Sequence, residues 1–171
     1  MSIGTSSTVK LSADASGRAR TRTLNLWAGR TTAAIGVVHI AFFTVRTWPR
    51  WGDWIGGALH GTDAIQNPAN AVSRGEFWAL LGSFAVPLIL LGLLIARMAQ
   101  TGQEVPRHLG WALGAWVLVC GWILEPSGFP LGLVPVTLLL LAQRASRASR
   151  ASRASRTSRT SSRPGNGRKE A

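Results

Sequence analysis

Two ionisable side chains lie in or beside long apolar runs of this chain, and they are the positions where chemistry at membrane depth is conceivable. His39 sits within GVVHIAF, and Glu125 follows the run LGWALGAWVLVCGWIL at an Glu125-Pro126-Ser127-Gly128 break. An imidazole surrounded by hydrocarbon must find a hydrogen-bond partner, so an ionisable group at that depth is a functional candidate by default. An imidazole and a carboxylate sharing one depth would form a protonatable pair suited to proton-linked transport, since imidazole as a class changes charge near neutral pH. The structural reading stands beside it: His39 donates to a neighbouring backbone carbonyl or holds two helices together, and Glu125 at its turn reaches water. The residue types give the structural reading more weight.

Other chemistry lacks its parts. No metal-ligand spacing, nucleophile motif, phosphate loop or nucleotide fingerprint occurs. Haem would need a second axial donor at depth, whereas His60 falls in a loop and His108 at the edge of an apolar run. No catalytic residue, cofactor or metal site is therefore expected, and the chain is not expected to be an enzyme. Cys120 is the one cysteine, which excludes an intrachain disulfide and leaves a small buried hydrophobe as its expected role.

The elements that would position these groups are apolar segments. Residues 77–96, FWALLGSFAVPLILLGLLIA, are twenty residues without a charge, ending at Arg97. At about 1.5 Å of rise per residue such a helix covers roughly 30 Å, the thickness of a bilayer's hydrocarbon core. A shorter run, extended by Trp27 and Arg30 on one side and Arg46 and Trp48 on the other, predicts a first span over 27–46, read as an uncleaved signal anchor behind a basic leader. The turn formers after Glu125 divide the last apolar region into two arms, spans 108–124 and 129–143. Both arms are short, and a hairpin that enters and leaves on one face is the alternative.

The fold class predicted is all-α: a polytopic membrane protein built as a four-helix transmembrane bundle, with a flexible basic leader over 1–26 and a disordered basic tail over 144–171. The net charge of +12 would suggest a nucleic-acid binder until the charges are located, but nine of the nineteen basic residues follow Ala142. There Ala-Ser-Arg triplets repeat without aliphatic or aromatic residues, which supplies nothing to drive a packed core. The tail's expected partner is anionic lipid, the bundle's is the lipid bilayer itself or a second copy forming a homo-oligomer, and no specific nucleic acid is expected. The basic leader, Arg97 with Arg107, and the tail outweigh Arg46, Arg50 and Arg74 of the first loop. By the positive-inside rule both termini are cytoplasmic, in a bacterial cell (inner) membrane.

In the outer loop Trp51, Trp54, Ile55, Ala58 and Leu59 fall at helical spacing behind Pro49, which predicts a short interfacial helix with its Trp face towards lipid. Ser73-Arg74-Gly75-Glu76 has capping-box spacing at the start of the second span. Gly29, Ala33 and Gly36, Gly110-x-x-x-Gly114 and Gly128-x-x-x-Gly132 predict close helix contacts, within one chain or between two.

The ordered set GVVHIAF, a Trp-rich loop, FWALLGSFAVPLILLGLLI, PRHLGWALGAW and EPSGFPLGLVPVTLLLL resembles a family of small bacterial four-span integral membrane proteins of unknown function. The resemblance covers roughly residues 28–143. It implies the membrane fold and no assigned activity. The leading functional expectation is a non-enzymatic membrane protein, structural or partner-binding; the alternative is a small proton-linked transporter using His39 and Glu125.

Overall fold

The computed structural model describes residues 5–124 and 128–161, and all regular structure among them is helical. In chain order these are α1 (Thr5–Thr47), α2 (Trp51–Ile55), α3 (Gly61–Gln66), α4 (Ala71–Leu80), α5 (Ala85–Gln100), α6 (Arg107–Ile123) and α7 (Leu133–Ser161), with single 3-10 turns ahead of α2, α4 and α7. Three stretches, Ala15–Ile55, Pro68–Gln100 and Phe129–Ser152, are long and apolar enough to cross a membrane. Only 22%, 28% and 28% of their apolar windows are buried inside the molecule, so most of each faces outward, as lipid-facing helices do. Trp122, Ile123, Phe42 and Leu90 are among the large apolar side chains left on the outside. These features point to a multi-pass membrane protein.

The expectation of four full spans meets three. The fourth apolar helix, α6, has 17 residues. That is about 25 Å at the usual rise, short of a hydrocarbon core of roughly 30 Å. The expected uninterrupted span over 77–96 is also corrected, because the helix breaks between Leu80 and Ala85. Pro87 gives the physical reason: it has no amide to donate to the carbonyl of residue 83, and its ring would clash with that carbonyl in a continuous helix. Placed in the first turn of α5, the proline loses nothing, since that turn's amides have no helical acceptor.

The leader and the tail, expected to be flexible and disordered, are helical in their described parts. Both extend an apolar helix rather than nucleating a new one, so the unfavourable nucleation step is already met. Alanine and arginine are also good helix formers. In the tail, the hydroxyls of Ser146, Ser149 and Ser152 donate to carbonyls three or four residues back, which satisfies them within the helix. At 43 and 29 residues, α1 and α7 are about 65 and 44 Å long, so both project well past an apolar core of roughly 30 Å. The projecting parts meet: a Cβ added at Gly17 would lie 2.9 Å from Ser149 Oγ.

α1 is the central helix. It packs on α5 along the most extensive contact in the molecule and on α7 along the next, while α6 packs mainly against α7. Ala28, Ile95, Leu113, Val117, Val136 and Leu139 form the buried core. The α1–α5 contact is backbone against backbone. A Cβ at Gly29 would come within 2.6 Å of Gly92 O and Ala96 N, and one at Gly92 within 2.5 Å of Ala33 N. The small residues of α1 therefore serve packing inside one chain. Gly110 faces Gln143 and Leu139 of α7, Gly114 faces Val136, and Gly132 faces Val117, which sets α6 and α7 antiparallel. A Cβ added at Gly128 would meet nothing within 4 Å, so of the expected Gly128-x-x-x-Gly132 contact face only Gly132 takes part.

Substitution of Gly92 by Val should destabilise the protein by about 1–3 kcal/mol or more, because the added atoms meet backbone that cannot rotate away. Gly75→Ala, where a Cβ meets open space, should be neutral or stabilising by up to about 1 kcal/mol through helix propensity. Denaturation in mixed micelles checks both; a Gly92→Val protein as stable as its parent would refute the close α1–α5 approach.

Candidate functional site

The α4–α5 break leaves backbone groups without their helical partners. The Gly82 amide bonds Phe77 O at 3.0 Å and the Ser83 amide bonds Leu80 O at 3.4 Å. In an unbroken helix the Ser83 amide would have bonded Ala79 O, so that carbonyl is open. His39 Nε2 lies 2.8 Å from it. A carbonyl oxygen only accepts, so Nε2 carries the hydrogen and donates it. The ring is half-buried and packs on Phe43 one turn further along α1, with centroids 4.6 Å apart.

Two further residues complete the break. Ser83 Oγ donates to Leu80 O at 2.7 Å and accepts from the Ala85 amide at 3.3 Å, bridging the end of α4 and the start of α5. Gly36, one turn before His39, lets α1 sit against the opening of α5: a Cβ there would be 2.8 Å from Ala85 O. Ala79 and Ser83 escape sequence reasoning that treats residues 77–96 as one helix. Pro87, inside that apolar run, is the signal that locates them.

The other expected site residue, Glu125, lies outside the described residues. The Trp-rich cluster is described, and it differs from expectation. α2 spans only Trp51–Ile55 and is followed by a turn in which Gly57 takes a positive φ of 86°, so Ala58 and Leu59 do not extend its face. Trp54 turns onto α4, where its Nε1 donates to Ser73 Oγ at 2.9 Å and its ring meets Phe77 edge-on at 5.8 Å. Trp51 is half-buried beside it, whereas Ile55 is 80% exposed. Ser73 and Glu76 do not form a capping box, because α4 begins at Ala71, ahead of Ser73. Glu76 instead accepts from Arg50 Nε at 3.1 Å. Both partners of that pair are partly exposed, which limits its contribution to about 0–1 kcal/mol. Trp51 Nε1 and Arg74 Nη1 are buried without a hydrogen-bond partner among the described residues.

Residues 23–146 match the Family of unknown function (DUF6463). The chain belongs to this family. No curated protein and no solved structure matches it. The DUF6463 match takes in His39, the α4–α5 break and the Trp-rich cluster, and it stops short of Arg18 and Arg22 on one side and Arg150 on the other. No group of three or more His, Cys, Asp or Glu side chains able to hold a metal ion gathers among the described residues. The Cys120 thiol is free and half-buried.

Replacing His39 by Leu should destabilise this DUF6463 member by about 1–2 kcal/mol, since Ala79 O then stays unpaired in an apolar setting. His39→Gln, which keeps a donor, should recover at least half of that. Unfolding midpoints in one detergent are the measurement; equal stability of the Leu variant and the parent would show that the bond carries no weight.

Proposed function

We propose that this protein is a non-enzymatic four-pass protein of the bacterial inner membrane, with both termini cytoplasmic, that acts as a structural or partner-binding element. The observation that carries the reading is the His39–Ala79 bond: among the described residues the imidazole at depth is occupied in closing a helix break. α6 supports the fourth pass. It is apolar after Arg107 and His108, carries Trp111 and Trp122 outward near its two ends, and a bilayer accommodates a short span by local thinning. The excess of basic residues on the leader, the α5–α6 link and the tail supports the orientation. Reporters fused ahead of Trp27 and after Gln143 should read cytoplasmic, and one at Gln66 external; an internal signal at Gln66 would sink the four-pass arrangement.

One observation favours proton-linked transport as a second reading. A discontinuous helix with an ionisable side chain at its break is how many transporters build a midplane site. His39 occupies that position, and Glu125 would be its partner in this reading. In proteoliposomes, pH-driven uptake lost alike in His39→Gln and Glu125→Gln proteins of parental stability would favour transport. Absence of any proton flux in the parent would remove it.

A further inference from the structure

At the end of the bundle opposite the Trp-rich loop, α1, the α5–α6 link and α7 surround a cavity of about 470 Å³. Small-molecule sites are typically about 300–1,000 Å³. Four guanidinium groups line it: Arg18 and Arg22 from α1, Arg107 from the first turn of α6, and Arg150 from α7. Glu104 is the one lining carboxylate, and it is paired with Arg150. Arg22 donates to Gln100 O at 3.0 Å, a neutral acceptor that leaves its charge in place. Arg18 and Arg107 face no carboxylate partner among the described residues. The cavity thus concentrates positive charge that the described acids do not neutralise.

A second observation points the same way. Asn25 lines the cavity, is only 8% exposed, and its side-chain amide makes no hydrogen bond among the described residues. Its amide atoms are not closed off within the protein, so both are free to meet a molecule that enters the cavity. The wall is fixed in place by Gln143, whose Nε2 donates to Arg107 O at 2.9 Å. Ala99, Leu139 and Ala142 add buried apolar residues to the lining.

We propose that this cavity binds a phosphate-bearing anion, with its oxygens held by Arg18, Arg22 and Arg107 and a further polar group met by Asn25. Guanidinium forks match phosphate oxygens two at a time, which an ammonium cannot do. An anionic phospholipid headgroup and a soluble phosphate compound share that chemistry. The place of the cavity favours the first, because it lies where the apolar stretch that ends at Gln100 gives way to the polar link before α6. Assigning the lipid to the inner leaflet rests on the orientation proposed above; anion binding does not. The cavity also gives the helical leader and tail a common purpose, since its walls need both.

The test uses the full chain in a neutral detergent, titrated separately with cardiolipin, phosphatidylglycerol, phosphatidylcholine and inorganic pyrophosphate. Bound species are counted by native mass spectrometry and Tm is followed in parallel. Cardiolipin and phosphatidylglycerol should bind and raise Tm, while phosphatidylcholine should do neither. The Arg18→Gln/Arg107→Gln protein should bind them at least about tenfold more weakly. Arg144→Gln/Arg147→Gln, which removes the same charge from α7 outside the cavity, should bind as the parent does. Asn25→Leu should weaken binding with no change of charge. Pyrophosphate binding with the same variant pattern, and no lipid binding, would uphold the anion site and assign it to a soluble ligand. Equal loss in the two double variants, or no anion binding by the parent, would overturn the proposal. External reporters at the termini would withdraw the inner-leaflet source and leave the titration result standing.

Discussion

Close approach of α1 and α5 is the constraint on which the remaining structure depends. In a bilayer, lipid tails are as apolar as leucine, so helices gain little from hydrophobic burial and associate through packing and hydrogen bonds. Gly29, Ala33, Gly92 and Ala96 bring the two backbones together with nothing larger than a methyl group between them. That contact fixes the height of α1 against α5, and three consequences follow from it. His39 arrives level with the Ala79 carbonyl, Ala28 meets Ile95 in the core, and the polar half of α1 runs alongside the end of α5 where Arg22 reaches Gln100 O.

The break between α4 and α5 shows how local and tertiary effects combine. Pro87 interrupts the helix, which in water would matter little, because solvent would take the freed carbonyl. At membrane depth no solvent is available, and every backbone group must be satisfied by the protein. Ser83 closes part of the gap from within, through Leu80 O and the Ala85 amide. His39 closes another part from α1. An ionisable residue in a span is thereby accounted for as a donor, and the same geometry is what gives the transport reading its physical basis.

The two ends of the molecule divide polar work between them. At the Trp-rich end Trp54, Ser73, Arg50 and Glu76 fasten the loop to the start of α4. At the other end the polar side chains surround a space instead of pairing across it. Among the described residues only Arg150 finds an acid there, Glu104; Arg22 bonds the Gln100 carbonyl, and Arg18, Arg107 and Asn25 line the cavity. The DUF6463 match covers Asn25, Arg107 and Gln143 but leaves out Arg18, Arg22 and Arg150. The cavity is therefore assembled from the family region and from the two terminal extensions together.

The apolar segments, the absence of charge within them and the asymmetry of basic residues were legible in the amino-acid order, because hydropathy is a local sum that needs no partner. The helix break was legible too, in Pro87, and was hidden only by the apolar residues around it. Glu125 lies outside the described residues, so its candidate role gains nothing from the fold. What hydropathy could not determine is which groups meet. The acceptor for His39 stands forty residues further along the chain, Ser73 and Glu76 exchange a local capping role for partners in the loop, and the Ala-Ser-Arg repeat becomes a wall because α1 lies beside it. Each of these depends on the distance between helices, and that distance was decided by glycines whose neighbours only the tertiary structure supplies.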